Sequence, residues 1–217
     1  MKNVWLNKAN NKNLLIFFVG WSFDENPFKF LSFEDLDVLV FYDYSSLDFD
    51  IDFSGYEKYY FVGWSMGVYI GALLQDKLPA FEYAIALNGT PMPIDNEFGI
   101  PERTFELTLR YAEEGLKGKF YQNVFFGEEQ LNKCFQAPIM REIDNRVKEL
   151  HSLKEQIVKM PIDALGFYNK AYVAKNDKII PSKNQFSAWQ KLNVPVIELA
   201  DGHFPFYNFK SWNELCK

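Results

Sequence analysis

The sequence predicts an α/β fold: a mostly parallel sheet of about six to seven strands, flanked by helices and interrupted by a helical insertion. Three observations carry that expectation. Short runs rich in β-branched and aromatic residues recur along the 217-residue chain, each ending at Gly, Asn or Asp. These runs are nearly continuous in apolar residues rather than alternating, as in parallel strands covered on both faces. Helix-like segments separate several of them, and alternating strand and helix implies a parallel sheet.

In chain order, Val4–Asn7 is read as an antiparallel edge strand. Leu14–Gly20 (LLIFFVG) is the first buried strand. Its flank is long and Asn-rich and no small-residue cleavage pattern follows, so it is read as a strand rather than a signal-peptide core. Val38–Asp43 and Tyr59–Gly63 follow, then a helix over Met66–Leu78 and a strand at Tyr83–Gly89. From about Pro93 to Met160 the text turns helical. Phe105, Leu109, Ala112 and Leu116, spaced 4, 3 and 4, share one helical face. Ile139, Ile143, Val147, Leu150 and Ile157 form a second stripe, with Arg141, Lys148 and Lys159 opposite. A cap over the strand ends is the simplest use of such an insertion; helices packed beside the sheet are the alternative. Ala171–Asp177, a helix over Ser182–Leu192 and Val194–Asp201 complete the pattern. The expected organisation is one domain over residues 1–217, with a helical lid at 93–160 and a return to the core at 161–217.

At 48% apolar residues and a net charge of −6 the chain is not disordered, and its acidic balance argues against nucleic-acid binding. The absence of any run of about 18 apolar residues excludes a membrane-spanning helix. Cys134 and Cys216 make neither a disulfide framework nor a zinc cluster, which fits a reducing, cytoplasmic setting.

The sharpest local signal is Gly63-Trp64-Ser65-Met66-Gly67. Composition alone yields a G-x-S-x-G match in roughly one chain in fifteen of this length, so context decides its worth. The match directly follows the strand YYFV and opens the helix-like MGVYIGALLQDKL, the strand–turn–helix setting in which a serine projects sharply above a sheet. Glycines at 63 and 67 relieve crowding in that turn, and the helix N-terminus turns N–H groups toward developing negative charge.

A serine hydroxyl needs a base, and the chain has two histidines. His151 lies in the charged helical stretch KELHSLKEQ and reads as a surface residue. His203 lies in Asp201-Gly202-His203-Phe204-Pro205-Phe206, just past the last strand, where α/β folds place their sites. Asp177 ends the strand AYVAKN and is the best partner for the imidazole, with Asp163 as the alternative. Asp201 is too near His203 in sequence to reach its ring. The order Ser65, Asp177, His203 matches that of α/β-hydrolase triads. The Met66 N–H is one expected oxyanion donor. Trp21, in the loop after LLIFFVG, is the other through its main chain, its indole forming a pocket wall.

Val19-Gly20-Trp21-Ser22, Gly63-Trp64-Ser65-Met66-Gly67, Asn176-Asp177-Lys178-Ile179-Ile180-Pro181 and Gly202-His203-Phe204-Pro205-Phe206 together resemble the pimeloyl-[acyl-carrier protein] methyl ester esterases of biotin synthesis, of the BioG type. Val19 stands where many α/β-hydrolases carry a histidine before the glycine of this loop. The resemblance implies an α/β-hydrolase that uses Ser65 as nucleophile, Asp177 as orienting acid and His203 as general base and acid. Trp21 and Met66 form the oxyanion region, and neither metal nor organic cofactor takes part. It implies a carrier-borne methyl ester as substrate, the acyl carrier protein as partner, and no nucleic-acid or membrane partner; a monomer is expected. Phe120, Phe125, Phe126 and Phe135 offer apolar surface for an aliphatic arm. The acidic carrier requires a local basic patch, for which Arg141, Lys148 and Lys159, or Arg103, Arg110 and Lys117, are candidates. A broad short-chain esterase, an acyl-carrier thioesterase and a silent hydrolase-like receptor remain alternatives.

Overall fold

The structure, a computed structural model, describes residues 1–159 and 166–216. Asp163, the alternative acid, lies outside the described residues. Seven strands form one sheet: β1 (Lys2–Asn7), β2 (Asn13–Phe18), β3 (Leu36–Tyr42), β4 (Lys58–Trp64), β5 (Tyr83–Leu87), β6 (Lys170–Ala174) and β7 (Val196–Leu199). Their order is β1-β3-β2-β4-β5-β6-β7, parallel throughout except for β1, which runs antiparallel to β3 at one edge. Leu14–Phe18 and Leu36–Phe41 are buried without a break, so their continuous apolar runs reflect cover on both faces.

The strand order positions the site. From β2 the chain passes to β3 on one side, whereas from β4 it passes to β5 on the other. The carboxyl ends of β2 and β4, paired up to Phe18 and Gly63, therefore lead into connections that diverge. A crevice opens between them, the usual ligand position of such sheets.

Helix α1 (Met66–Leu73) is buried from Met66 to Ala72; it is shorter than expected and gives way to a 3-10 turn at Gln75–Lys77. Between β5 and β6 lie α2 (Glu102–Arg110), α3 (Ala112–Leu116), α4 (Lys119–Val124), α5 (Gly127–Gln136) and α6 (Ile143–Lys159); α7 (Ser182–Lys191) follows β6. The first apolar stripe is buried at Phe105, Ala112 and Leu116 but breaks at Tyr111 into two helices. The second stripe is displaced. The buried face of α6 is Arg146, Glu149, Leu150 and Leu153, while Ile143, Val147 and Ile157 are half-buried and Ile139 precedes the helix. No helix among the described residues is long and apolar enough to cross a membrane.

Residues 43–57, joining β3 to β4, contain no helix. Aromatic rings cover the sheet there instead: Phe49 meets Phe41 edge-on at 5.3 Å and Phe53 at 6.2 Å. Tyr56 donates its hydroxyl hydrogen to Asp37, whose carboxylate also accepts from the Ala9 and Asn11 backbone N–H groups. A second aromatic cluster lies beneath the loop after β7. Phe28 meets Phe206 at 4.8 Å and Phe204 at 5.5 Å, and Trp64 meets Phe204 at 5.4 Å. Such edge-on and offset ring contacts contribute about 0.5–1.5 kcal/mol each beyond area burial, enough to anchor a loop that has little regular backbone bonding.

Candidate active site

Ser65 stands between β4 and α1 with φ +56° and ψ −122°. A non-glycine residue held there stores about 1–3 kcal/mol of strain, offset by its surroundings. Ser65 N–H donates to Leu87 O at 3.0 Å, and Ser65 O accepts from Val68 N–H at 3.0 Å. At position 67 a Cβ would run into the carbonyl of Phe18, so the helix can approach β2 only with glycine there.

His203, in the loop beyond β7, has Nε2 2.9 Å from Ser65 Oγ and Nδ1 2.8 Å from Asp177 Oδ2. All three side chains are buried. Asp177, in the turn after β6, is an acceptor; Nδ1 therefore carries the imidazole proton, and the Nε2 lone pair faces the serine. The Asp177 carboxylate is itself fixed. Oδ1 accepts the N–H groups of Ile179 (2.8 Å) and Ile180 (3.0 Å), and Oδ2 also accepts from Gln185 Nε2 at 2.8 Å. Asp201 is engaged elsewhere, accepting from Gln130, Asn208 and its neighbour Gly202. His151 is exposed.

Two residues that sequence reasoning missed hold the triad in place, Asn88 through the histidine loop and Gln185 through the Asp177 carboxylate. Asn88 Nδ2 donates to the carbonyls of Gly202 (2.9 Å) and His203 (3.0 Å), while its Oδ1 accepts the Ala174 N–H at 2.7 Å. Gln185, on α7, was missed as well. The only sequence cues were an Asn-Gly pair at a strand end and a Gln inside a helix, both of which ordinarily signal a turn and a solvated face. Trp64, inside the motif, donates its indole N–H to His203 O at 2.8 Å.

Met66 is the first residue of α1, so its N–H has no acceptor within the helix. Trp21 and Met66 both line a cavity of about 380 Å³ that also contains Ser65 and His203. The Trp21 indole donates to Arg146 O at 2.8 Å and packs edge-on against Phe120 at 4.9 Å. The far wall comes from the insertion, chiefly Phe105, Leu107, Tyr111 and Phe120. Of the other phenylalanines expected there, Phe125 packs under Phe204 at 4.9 Å, and Phe126 and Phe135 are exposed away from the cavity. Lys119 and Lys178 also line it, exposed at the rim, and pair with no carboxylate among the described residues.

The expected docking residues need correction. The Arg141 side chain is 4% exposed and lies 2.9 Å from Glu149 Oε2 and 3.4 Å from Asp43 Oδ1. It is an interior ion-pair residue and presents no surface charge. Its sequence signal was misleading because Glu149 reads as a solvated helical charge and Asp43 lies nearly a hundred residues away. Lys148 is exposed but belongs to a separate open cleft with Asp144 and His151. Lys117 is bound to Glu113 at 2.8 Å. Burial pushes the Glu149 carboxyl above its usual range, with the Arg141 guanidinium and the N–H groups of Tyr44 and Ser22 opposing it.

A model of the family described as "Pimeloyl-ACP methyl esterase BioG" matches residues 1–215. A crystal structure of selenomethionine BioG from Haemophilus influenzae superposes with a TM-score of 0.92 at 30% identity, covering all of both chains. A Bacteroides fragilis protein named malonyl-[acyl-carrier protein] O-methyltransferase is 37% identical over 195 residues. The match takes in 89% of this chain but 40% of that protein, so the chain spans about two-fifths of this relative's length. The esterase EaEST from Exiguobacterium antarcticum shares the architecture, with a TM-score of 0.64 at 13% identity over 95% of this chain and 89% of that one. The fold is that of the α/β-hydrolases.

Proposed function

The chain belongs to the pimeloyl-ACP methyl esterase BioG family, and on that premise we propose that it hydrolyses the methyl ester of pimeloyl-[acyl-carrier protein] in biotin precursor synthesis. One observation carries the reading: an unbroken hydrogen-bonded line from Ser65 Oγ through His203 to Asp177, at the floor of an apolar cavity.

In this mechanism His203 Nε2 takes the Ser65 hydroxyl proton as Oγ attacks the ester carbonyl. The negative charge that develops on the carbonyl oxygen is received by the N–H groups of Met66 and Trp21. The imidazolium, stabilised by Asp177, returns its proton to the departing methoxide, so methanol leaves and an acyl-enzyme remains. Water then attacks under the same base, releasing the carboxylic acid and restoring Ser65.

A cavity of about 380 Å³ is within the range of about 300–1,000 Å³ usual for small-molecule sites. Its apolar walls suit the methylene chain, and the helices at 93–160 act as a lid. The rim lysines Lys119 and Lys178 suit the acidic carrier that stays outside. The kinship with a protein named for methylating a carrier-borne malonyl group supports an esterified acyl-carrier substrate. The test is methanol release from pimeloyl-carrier methyl ester, compared with shorter-chain esters and with carrier thioester cleavage. The expected result is methanol release that prefers the pimeloyl ester and is abolished by Ser65→Ala in a folded protein. No ester turnover, with no acylation of Ser65 by a fluorophosphonate, would refute it.

A further inference from the structure

We propose that Glu149 and Arg141, a buried ion pair brought in by the helical insertion, are positioning residues that hold the oxyanion-loop backbone in its reactive shape. This deepens the esterase reading and rests on it.

Three consecutive residues of the loop after β2 are each tied to the insertion. The Trp21 indole N–H donates to the Arg146 carbonyl at 2.8 Å, and the Ser22 backbone N–H donates to Glu149 Oε2 at 3.3 Å. The Phe23 carbonyl accepts from Arg141 Nη1 at 3.0 Å. The loop itself is a tight turn, with the Phe23 N–H donating to Gly20 O at 3.4 Å and Ser22 at φ +73°. The C=O and N–H of one trans peptide point opposite ways. Turning the Gly20 carbonyl toward Phe23 therefore leaves the Trp21 N–H on the other side of that peptide. A non-glycine residue at positive φ gains nothing from this shape alone, so an outside agent must hold it.

Glu149 and Arg141 are built for that task. Glu149 is 0% exposed, and its second oxygen accepts the Tyr44 N–H at 3.0 Å, linking the end of β3 to the loop after β2. Arg141 is fixed in turn by Asn145 Oδ1 at 3.0 Å and by Asp43. Buried ion pairs are a poor source of fold stability, since apolar residues of equal volume often serve as well. Charge-assisted bonds to the backbone N–H of Ser22 and the backbone C=O of its neighbour Phe23 instead impose direction on the chain there. The same helix walls the cavity through Leu150, so the element that covers the substrate also sets the donor that meets its oxyanion.

The test compares wild type with Glu149→Gln and Arg141→Lys on a soluble methyl ester, with kcat normalised to the sites that a fluorophosphonate titrates to completion. Displacing one donor by a fraction of an ångström costs about 10- to 100-fold in kcat, and KM should stay near the wild-type value because the loss falls on the transition state. Affinity for a trifluoromethyl ketone, whose tetrahedral adduct bears an oxyanion at the same point, should fall by the same factor. A purely structural role would lower the titratable fraction while leaving kcat per site and ketone affinity unchanged, which overturns the proposal. Should Glu149→Gln fail to fold, Arg141→Lys carries the test, since it keeps the charge and loses the bond to Phe23. A wild-type protein without turnover or fluorophosphonate labelling would sink the esterase reading itself, a different failure from an active wild type with unaffected variants.

Discussion

Replacing Asp177 by asparagine tests the charge arrangement with almost no change in volume. The Oδ1 site faces two backbone N–H groups, from Ile179 and Ile180. An amide NH₂ placed there would oppose two donors, so the Asn oxygen must occupy it and the NH₂ must take the Oδ2 site, 2.8 Å from His203 Nδ1. Nδ1 then becomes an acceptor, and the imidazole proton moves to Nε2, where it faces Ser65 Oγ and cannot accept the hydroxyl proton. Gln185 can adapt, because its Oε1 is buried without a partner among the described residues and can turn toward the new NH₂, at the loss of the bond its Nε2 gives Ile180 O. The fold therefore survives while the base is held in the wrong tautomer. A loss of about 10⁴-fold in kcat is expected, as for other triads carrying this change, equivalent to about 5.4 kcal/mol of barrier. The assay is steady-state hydrolysis of a soluble methyl ester, with thermal unfolding run in parallel. A loss below about 10-fold at unchanged Tm, or full activity in Asp177→Asn together with an inactive Asp163→Asn, would refute the assignment of the acid.

Two further outcomes follow from other parts of the molecule. The double variant Lys119→Glu, Lys178→Glu removes two rim attractions and adds two repulsions of about 0.2–1 kcal/mol each. KM for carrier-linked substrate should rise about 10-fold beyond any change seen with a soluble ester, and equal changes on both substrates would exclude carrier docking at the rim. Asp37→Ala deprives the Ala9, Asn11 and Tyr56 donors of their shared acceptor and should cost about 2–3 kcal/mol at pH 7 by urea unfolding. Although burial alone would raise the Asp37 carboxyl, those donors hold it below its ordinary 3.8. Its stabilisation is therefore present above that value and lost as pH falls through the lowered folded one, so the gap between wild type and variant should begin to narrow as pH drops below about 4. A gap that stays constant with pH would show that packing, not the carboxylate, is responsible.

The strands were legible because burial on both faces leaves continuous apolar runs, and Leu14–Phe18 and Leu36–Phe41 are buried throughout. The antiparallel edge at Val4–Asn7 also stands in the structure as part of β1. Ser65 and His203 were found because few sequences place Gly-x-Ser-x-Gly after one strand and Gly-His-x-Pro after another, and the structure brings both side chains into contact. What escaped was the set of buried polar residues whose partners nothing nearby in the sequence announces. Arg141 reads as the solvated side of an amphipathic helix because nothing local announces Asp43 beneath it. Glu149 was overlooked for the same reason, since charge at a helical position ordinarily signals solvent. The register of α6 was misjudged for a related cause: its interior face carries Arg146 and Glu149, which a count of apolar residues assigns to the outside. Asn88 and Gln185 act through amides whose roles depend on carbonyls and carboxylates far along the chain.

The insertion is bonded to both sides of the reaction centre. It holds Trp21 and Ser22 through α6 and Phe23 through Arg141, just before that helix, and the Val124 carbonyl accepts the Phe204 N–H beside the histidine at 3.1 Å. It is consequently not an interchangeable hood. A chimera made by transplanting only this segment from another hydrolase would inherit a new acyl channel and forfeit the struts that shape the host's own reactive groups. Engineers seeking altered chain-length preference in this scaffold should graft residues 20–23 and 43–44 along with the helices, or restrict changes to the α2–α3 wall.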